Sequence, residues 1–261
     1  MRTSFDLSRI RGVLCDIDGT LTTGDELIPG AAEAVAYLRE RGFALRFLTN
    51  TTTRSRASLH SRLSDLGLEL SVREIISAAY AGVLYLRSQG NPRVRLAISK
   101  DAAADYSEFA IDDDTPQYIV VGDIGDQWNH ALLNSLFRQV SAGATLVALH
   151  KNRFYIGHEG ITLDVGSFVA AVEYGASIKA MTVGKPSPWF FRLAFADLDL
   201  SPDEVVVIGD DAESDIDGAH NAGAQGILVR TGKYRAATTI PGRDTGAPVV
   251  DSIDSIRGLW G

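Results

Sequence analysis

Apolar and polar positions fall into two kinds of block along this chain. Short unbroken apolar runs, "VLCDI", "FALRFLTN", "EVVVIGDD" and "GILVRTG", read as strands buried on both faces. Between them lie stretches whose apolar residues recur every three or four positions. "PGAAEAVAYLRERG" puts Val35 and Leu38 on one face, with Pro29 near its start and Gly42 as a stop. "RSRASLHSRLSDLG" does the same with Leu59, Leu63 and Leu66, closed by Gly67. "PSPWFFRLAFADL" and "SDIDGAHNAG" supply two further helices near the C-terminus. Strands alternating with helices predict a parallel sheet covered on both faces, an α/β, doubly wound, Rossmann-like core.

The middle of the chain carries a set of its own. "VRLAIS", "YIVVG" and "ATLVALH" pattern as strands, "NHALLNSLFRQVSAG" and "SFVAAVEYG" as helices. An inserted α/β domain at 80–181, between core halves 1–79 and 182–261, accounts for this economically. No internal repeat or low-complexity segment interrupts the pattern.

Composition narrows the function. The 261 residues are 45% hydrophobic with mean hydropathy +0.03, and no apolar run is long enough for a membrane helix. "MRTSFDLSRIRG" has no apolar signal core, so a cytoplasmic protein is expected. The net charge of -8 comes without a Lys/Arg block, which disfavours nucleic acid and membrane surfaces as partners. Cys15 is the single cysteine and lies inside an apolar run, so it reads as a packing residue rather than a nucleophile.

In open parallel sheets ligands bind beyond the carboxyl ends of the strands. Four such ends carry chemistry here. "VLCDI" runs into Asp16 and Asp18, "ALRFL" into Thr49 and Asn50, "VVVIG" into Asp210 and Asp211, and "MTV" precedes Gly184 and Lys185. Asp16 and Asp18 can point the same way, with Gly19 and Thr20 turning the chain aside. Two carboxylates 4 Å apart repel by about 4 kcal/mol at an effective dielectric near 20. A cation between them, or a proton on one, relieves this. Asp210 and Asp215 bring two more charges, so four carboxylates against Lys185 leave about three negative charges. Oxygen donors of this kind suit Mg²⁺ rather than Zn²⁺. A carboxylate is also a competent nucleophile toward phosphorus. Thr49, Asn50 and Lys185 offer a hydroxyl, an amide and a charge to a transferring phosphoryl group. Lys185 precedes a helix expected to be capped by Ser187 with Pro188 at its first position.

These residues fall into an ordered set: Asp16-Ile17-Asp18-Gly19-Thr20, Leu48-Thr49-Asn50, Lys185 in "VGKPSP", and "GDDAESD". In this the chain closely resembles the haloacid dehalogenase-like hydrolases, mostly phosphatases. It is most similar to the subgroup with a large (C2-type) α/β cap, which holds N-acetylglucosamine-phosphate, 4-nitrophenyl-phosphate and pyridoxal-phosphate phosphatases. "FLTNTTTRS", "VGKPSPWFF" and "GILVRTGKY" resemble the branch with phospholysine phosphohistidine inorganic pyrophosphate phosphatase. The resemblance implies Asp16 as nucleophile and magnesium ligand, and Asp18 as general acid/base whose backbone carbonyl also meets the metal. It implies Thr49 and the Asn50 backbone as phosphate holders and Lys185 as the bridge between phosphate and Asp16. Asp210 is then the other direct magnesium ligand, and Asp215 acts through water or by orienting its neighbours. The resemblance departs at Asp18, where animal members of that branch carry serine; the full Asp-x-Asp pattern of ordinary phosphatases strengthens the hydrolase reading and weakens carry-over of those proteins' substrates.

Other residues take plainer readings. Thr51, Thr52 and Thr53 fit a helix start, and Asp211, Glu213 and Asp217 fit solvated or capping positions. "WNH" begins a helix of the insert, and His158 and His220 have no ligand spacing. The resemblance places "ALHKNRFY" in the cap loop over the active site, making His150, Lys151 and Asn152 the substrate-specificity residues, with Arg153 and Tyr155 at the surface. The expected activity is Mg²⁺-dependent hydrolysis of a small phosphorylated metabolite through an aspartyl-phosphate. A phosphotransferase and a non-catalytic phosphate-binding regulator are the alternatives. Cap-mediated homodimers occur among the proteins it resembles.

Overall fold

Parallel strands that carry helices on both faces bury both sides of their pleat, and the central run Gly12–Asp16 is buried at every position. The computed structural model describes residues 6–157, 160–235 and 245–260. In chain order the elements begin with β1 (Gly12–Asp16), β2 (Thr22–Thr23), β3 (Glu26–Leu27), α1 (Ala31–Glu40), β4 (Ala44–Thr49), α2 (Arg56–Asp65) and β5 (Ile75–Ser77). There follow α3 (Ala78–Ser88), β6 (Val94–Ala97), β7 (Tyr118–Val121), α4 (His130–Ser141), β8 (Thr145–Ala148), β9 (Phe154–Gly157), β10 (Gly160–Leu163), α5 (Val165–Ala176) and β11 (Met181–Thr182). The chain closes with α6 (Pro188–Leu198), β12 (Val205–Gly209), α7 (Gly218–Ala222), β13 (Gln225–Val229), α8 (Gly232–Arg235) and β14 (Val249–Val250).

These elements form two compact units. The first comprises Met1–Thr49, Leu59–Ile76 and Lys185–Gly261, the second Asn50–Ser58 and Ser77–Gly184. In the first, six strands pair in the order β14-β13-β12-β1-β4-β5. From β1 the chain steps outward to β4 and β5, then returns on the other side as β12, β13 and β14. This reversal is the doubly wound switch point, and it sets the carboxyl ends of β1 and β12 side by side. The core beneath includes Val13, Cys15, Phe47, Val206 and Ile208 from the sheet, with Leu38, Leu59 and Leu63 from the helices.

In the second unit β11-β8-β7-β6 make a four-stranded parallel sheet. Its core joins Ile119, Val121, Leu146 and Ala148 to Leu136 and Val140 of α4 and Val165, Val169 and Val172 of α5. Trp128 stacks on Phe168 with ring centroids 4.7 Å apart, and Asn129 caps α4 by accepting from the Leu132 N–H. Residues 50–58 cluster here for a local reason. Asp101 accepts from the hydroxyls of Ser55 and Ser58, Asp105 from the Arg56 N–H, and Thr52 Oγ1 from the Asp123 N–H. An antiparallel hairpin, β9–β10, precedes α5. Among the described residues no helix is long and apolar enough to cross a membrane.

Two local expectations change. "SDIDGAHNAG" is not one helix: a π-helical turn at Ala212–Asp217 precedes the short α7. The Asp211 carbonyl accepts from both the Asp215 and the Ile216 N–H, the second of which is the longer-span bond of a π turn. Ser187 does stand at the N-cap of α6 with Pro188 next, but its side chain makes no capping hydrogen bond.

Cys15 is fully buried in the core, and burial pushes its thiol up to about 12. The native protein at pH 8 should therefore fail to react with a disulfide-exchange thiol reagent, and should react with one equivalent in guanidinium. Rapid reaction of the folded chain would refute the buried placement.

Candidate active site

The carboxyl ends of β1 and β12 deliver Asp16 and Asp210 to one place, and the π-helical turn after β12 brings Asp215 to the same place. All three are buried, and each offers an oxygen within 4.8 Å of the other two. Lys185, also buried, donates from Nζ to Asp16 Oδ1 at 2.5 Å and to Asp215 Oδ1 at 2.7 Å. The other Asp215 oxygen accepts from the Asp211 N–H at 3.1 Å, so both its oxygens are engaged. Gly209 leaves room for this: a Cβ there would lie 2.3 Å from the Asp215 carboxylate.

Asp16 Oδ2 is different. It is buried and has no hydrogen-bond partner among the described residues. An orphaned carboxylate oxygen is costly unless something positive meets it. Three buried carboxylates against one buried ammonium leave two negative charges. Burial drives the Asp16 carboxyl well above its ordinary range, with Lys185 opposing and Asp215 and Asp210 adding to the rise. Burial, reinforced by the Asp215 charge, pushes Asp210 up to about 7. The residues thus fit a hard divalent cation: an all-oxygen donor set, one unsatisfied donor atom, and a charge deficit such an ion would cancel.

Asp18 leaves the buried group. β1 ends at Asp16, Gly19 takes φ +98°, and the Asp18 side chain is 51% exposed. Thr49 Oγ1 donates to Asp18 Oδ2 at 2.9 Å, and an Arg62 guanidinium nitrogen lies 3.9 Å from Oδ1. The crowding expected between Asp16 and Asp18 is found instead between Asp16, Asp210 and Asp215, because the turn after β1 separates the first pair. Thr49, expected at a phosphate, holds Asp18. Arg62 is a member the sequence reading passed over. It also donates to the Gly24 carbonyl and approaches Asp25 at 3.4 Å, in the turn between β2 and β3.

A second omission lies after β13. The Lys233 N–H donates to Asp210 Oδ2 at 2.5 Å, and its ammonium pairs with Asp211 at 2.8 Å. Thr231 Oγ1 donates to the Gly19 carbonyl at 2.5 Å. Asp211 meanwhile caps the π-helical turn by accepting from the Glu213 and Ser214 N–H groups. Burial works against its charge, but Lys233 holds its carboxyl below the usual range. The only sequence signal for this contact was the Thr-Gly-Lys following an apolar strand, and no spacing rule tied it to Asp210.

The remaining expected residues belong to the second unit. Asn50 follows β4, and a Cβ added to Gly184 would come 2.7 Å from its amide oxygen. His150 is buried: its Nδ1 accepts from the Asn152 N–H at 3.3 Å, and its Nε2 lies 3.9 Å from Asp164. Lys151 Nζ is held 2.7 Å from Glu173, and the Asn152 carbonyl accepts from the Gly166 N–H in the first turn of α5. Arg153 and Tyr155 are exposed, and His158 lies outside the described residues.

The raised carboxyl of Asp210 carries a pH consequence. A folded pKa near 7 against an unfolded 3.8 means its contribution to stability is full below about pH 4 and lost as pH rises through 7. A divalent cation should therefore raise Tm more at pH 8 than at pH 5, relative to EDTA, and Asp210→Asn should flatten that difference. Equal gains at both pH values in the unsubstituted protein would count against the buried anionic cluster as the cation's site.

Comparison with known proteins agrees with this geometry. A haloacid dehalogenase-like hydrolase family model matches residues 13–111, and a HAD-hydrolase-like model matches residues 182–256. Haloacid dehalogenase-like hydrolase domain-containing protein 2 of Mus musculus is 42% identical over 228 residues, covering 87% of each chain. Phospholysine phosphohistidine inorganic pyrophosphate phosphatase of Homo sapiens is 37% identical over 235 residues, covering 88% of this chain and 86% of that one. The solved p-nitrophenyl phosphatase from Archaeoglobus fulgidus superposes with a TM-score of 0.87 at 27% identity, covering 96% of this chain and 99% of that one. With motif residues on adjoining strand ends and relatives matched over most of their length, the chain belongs to the haloacid dehalogenase-like hydrolases.

Proposed function

We propose that this chain is a magnesium-dependent phosphatase of small phosphorylated metabolites. The observation that carries the reading is Asp16: one oxygen fixed by Lys185, the other buried and unpartnered among the described residues, beside two further carboxylates. Asp16 and Asp210 would hold Mg²⁺, with Asp215 in support. The bound ion would offset carboxylate charge and neutralise phosphoryl oxygens.

Lys185 orients Asp16 and adds positive charge where the phosphoryl group arrives. Asp16 attacks phosphorus in line and forms an aspartyl-phosphate as the P–O bond to the leaving group breaks. Asp18, steadied by Thr49, gives its proton to the leaving oxygen. It then takes a proton from the water that attacks the aspartyl-phosphate, regenerating Asp16 and releasing phosphate. An alcohol leaves poorly as alkoxide, so a carboxylic acid at position 18 favours phosphomonoesters. The human relative named for phospholysine, phosphohistidine and pyrophosphate marks the other bond types to be tested.

The second unit would select the substrate through the loop His150–Asn152. Its anchoring supports this: Glu173 holds Lys151, and α5 holds the Asn152 carbonyl. A preset loop costs less ordering entropy when it meets a ligand.

With p-nitrophenyl phosphate, hydrolysis should require Mg²⁺, vanish in EDTA and vanish in Asp16→Asn. Asp18→Asn should lower kcat by about 10²- to 10⁴-fold, the usual worth of a general acid/base. Activity surviving EDTA or Asp16→Asn would refute the mechanism. Across a panel of sugar, nucleotide and cofactor phosphates, Lys151→Ala should change relative kcat/KM values while leaving p-nitrophenyl phosphate turnover within a few-fold. An unchanged substrate ranking would remove the loop from the proposal.

A further inference from the structure

Adjacent aspartates at the end of a strand pose a selection problem. Asp210 and Asp211 have the same chemistry, yet only one can face the cluster with Asp16. Lys233 meets both and treats them differently. Its backbone N–H holds an oxygen of Asp210, while its ammonium draws Asp211 to the other side, where that carboxylate also caps the π-helical turn.

The bracket around Asp210 continues on both flanks. A Cβ built on Gly19 would lie 2.2 Å from Asp210 Oδ2, and one built on Gly232 would lie 2.1 Å from the same atom. Gly232 adopts φ +49°, a conformation that side chains disfavour. The two glycines also face each other, since a Gly232 Cβ would stand 2.5 Å from Gly19 Cα. Thr231 ties them by donating to the Gly19 carbonyl. The carboxylate of Asp210 thus sits between two bare backbones with one oxygen anchored. A two-torsion side chain has little freedom left in such a slot.

We propose that Thr231-Gly232-Lys233 is the positioning element of the metal site, the clamp that aims Asp210 at the cation and assigns Asp211 elsewhere. This rests on the metal-dependent reading above. The three residues are positioning residues: none touches the reacting atoms. Groups that orient a metal ligand typically change metal affinity by about 10- to 100-fold when removed.

The test is metal binding by the full chain without substrate, read as free Mn²⁺ by electron paramagnetic resonance with Mg²⁺ in competition. Tm in EDTA reports folding separately. Gly232→Ala should weaken binding by at least about 10-fold, and Thr231→Val by a smaller factor in the same direction. Lys233→Met keeps the N–H that holds Asp210 and loses only the ammonium on Asp211, so it should weaken binding less than Gly232→Ala does. Asp210→Asn should abolish binding. If Gly232→Ala does not fold, Thr231→Val decides alone. Unsubstituted protein that binds neither ion overturns the metal-dependent reading and the clamp with it. Unsubstituted protein that binds, with Gly232→Ala and Thr231→Val unchanged, overturns the clamp only. Lys233→Met weaker than Gly232→Ala would move the role from the backbone to the ammonium and refute the assignment.

Discussion

One buried ammonium holds the charged centre of the first unit together. Lys185 lies between Asp16 and Asp215, with all three groups out of solvent. A pair of this kind adds little net stability, because desolvation offsets most of the attraction. Removing one partner is another matter, costing about 3–5 kcal/mol by leaving a charge uncompensated. The arrangement therefore serves specificity of position. It fixes which oxygen of Asp16 is engaged by the ammonium and which has no hydrogen-bond partner among the described residues. The sheet topology exists in service of this meeting, since only a reversal of strand order puts β1 and β12 next to each other.

Much of this was legible in the sequence because the chemistry sits at strand ends, and strand ends are where apolar runs stop. Asp16, Thr49 and Asp210 follow that rule on the six-stranded sheet, whereas the strand read before Lys185 is β11, which pairs with β8 in the other sheet. The rule says nothing about torsions after the strand. It treated Asp16 and Asp18 as a crowded pair, whereas the turn at Gly19 sends Asp18 to Thr49 and leaves Asp16 with partners some 170 to 200 residues away. Thr231, Gly232 and Lys233 were missed for the same reason: the Thr231–Gly19 bond spans 212 residues and depends on backbone geometry at glycine. Arg62 was read as part of a helix, which it is. That it faces Asp18 and the β2–β3 turn is a matter of helix rotation, too fine for periodicity to give.

The second unit illustrates the opposite case, in which identity was read and environment was not. His150 and Lys151 stand out in a loop after a strand, but the sequence does not say that the imidazole is enclosed or that Glu173 of α5 holds the lysine. Glu173 also accepts the Ala180 N–H, so one carboxylate braces the loop on one side and the approach to β11 on the other. A residue carrying two such duties tolerates substitution poorly, and any reading of Lys151 as a contact residue has to include it.

The π-helical turn at Ala212–Asp217 has a bearing on which changes of length this chain can accept. Such a turn is a helix carrying one residue more than the regular geometry needs. Deleting that residue would give a tidier helix and rotate everything beyond the deletion by about 100°. Asp215 would then swing away from Lys185, and Ser214 or Ile216 would inherit its place. The number of residues in this turn is thus tied to the Lys185–Asp215 bond, because one residue fewer would misplace the carboxylate.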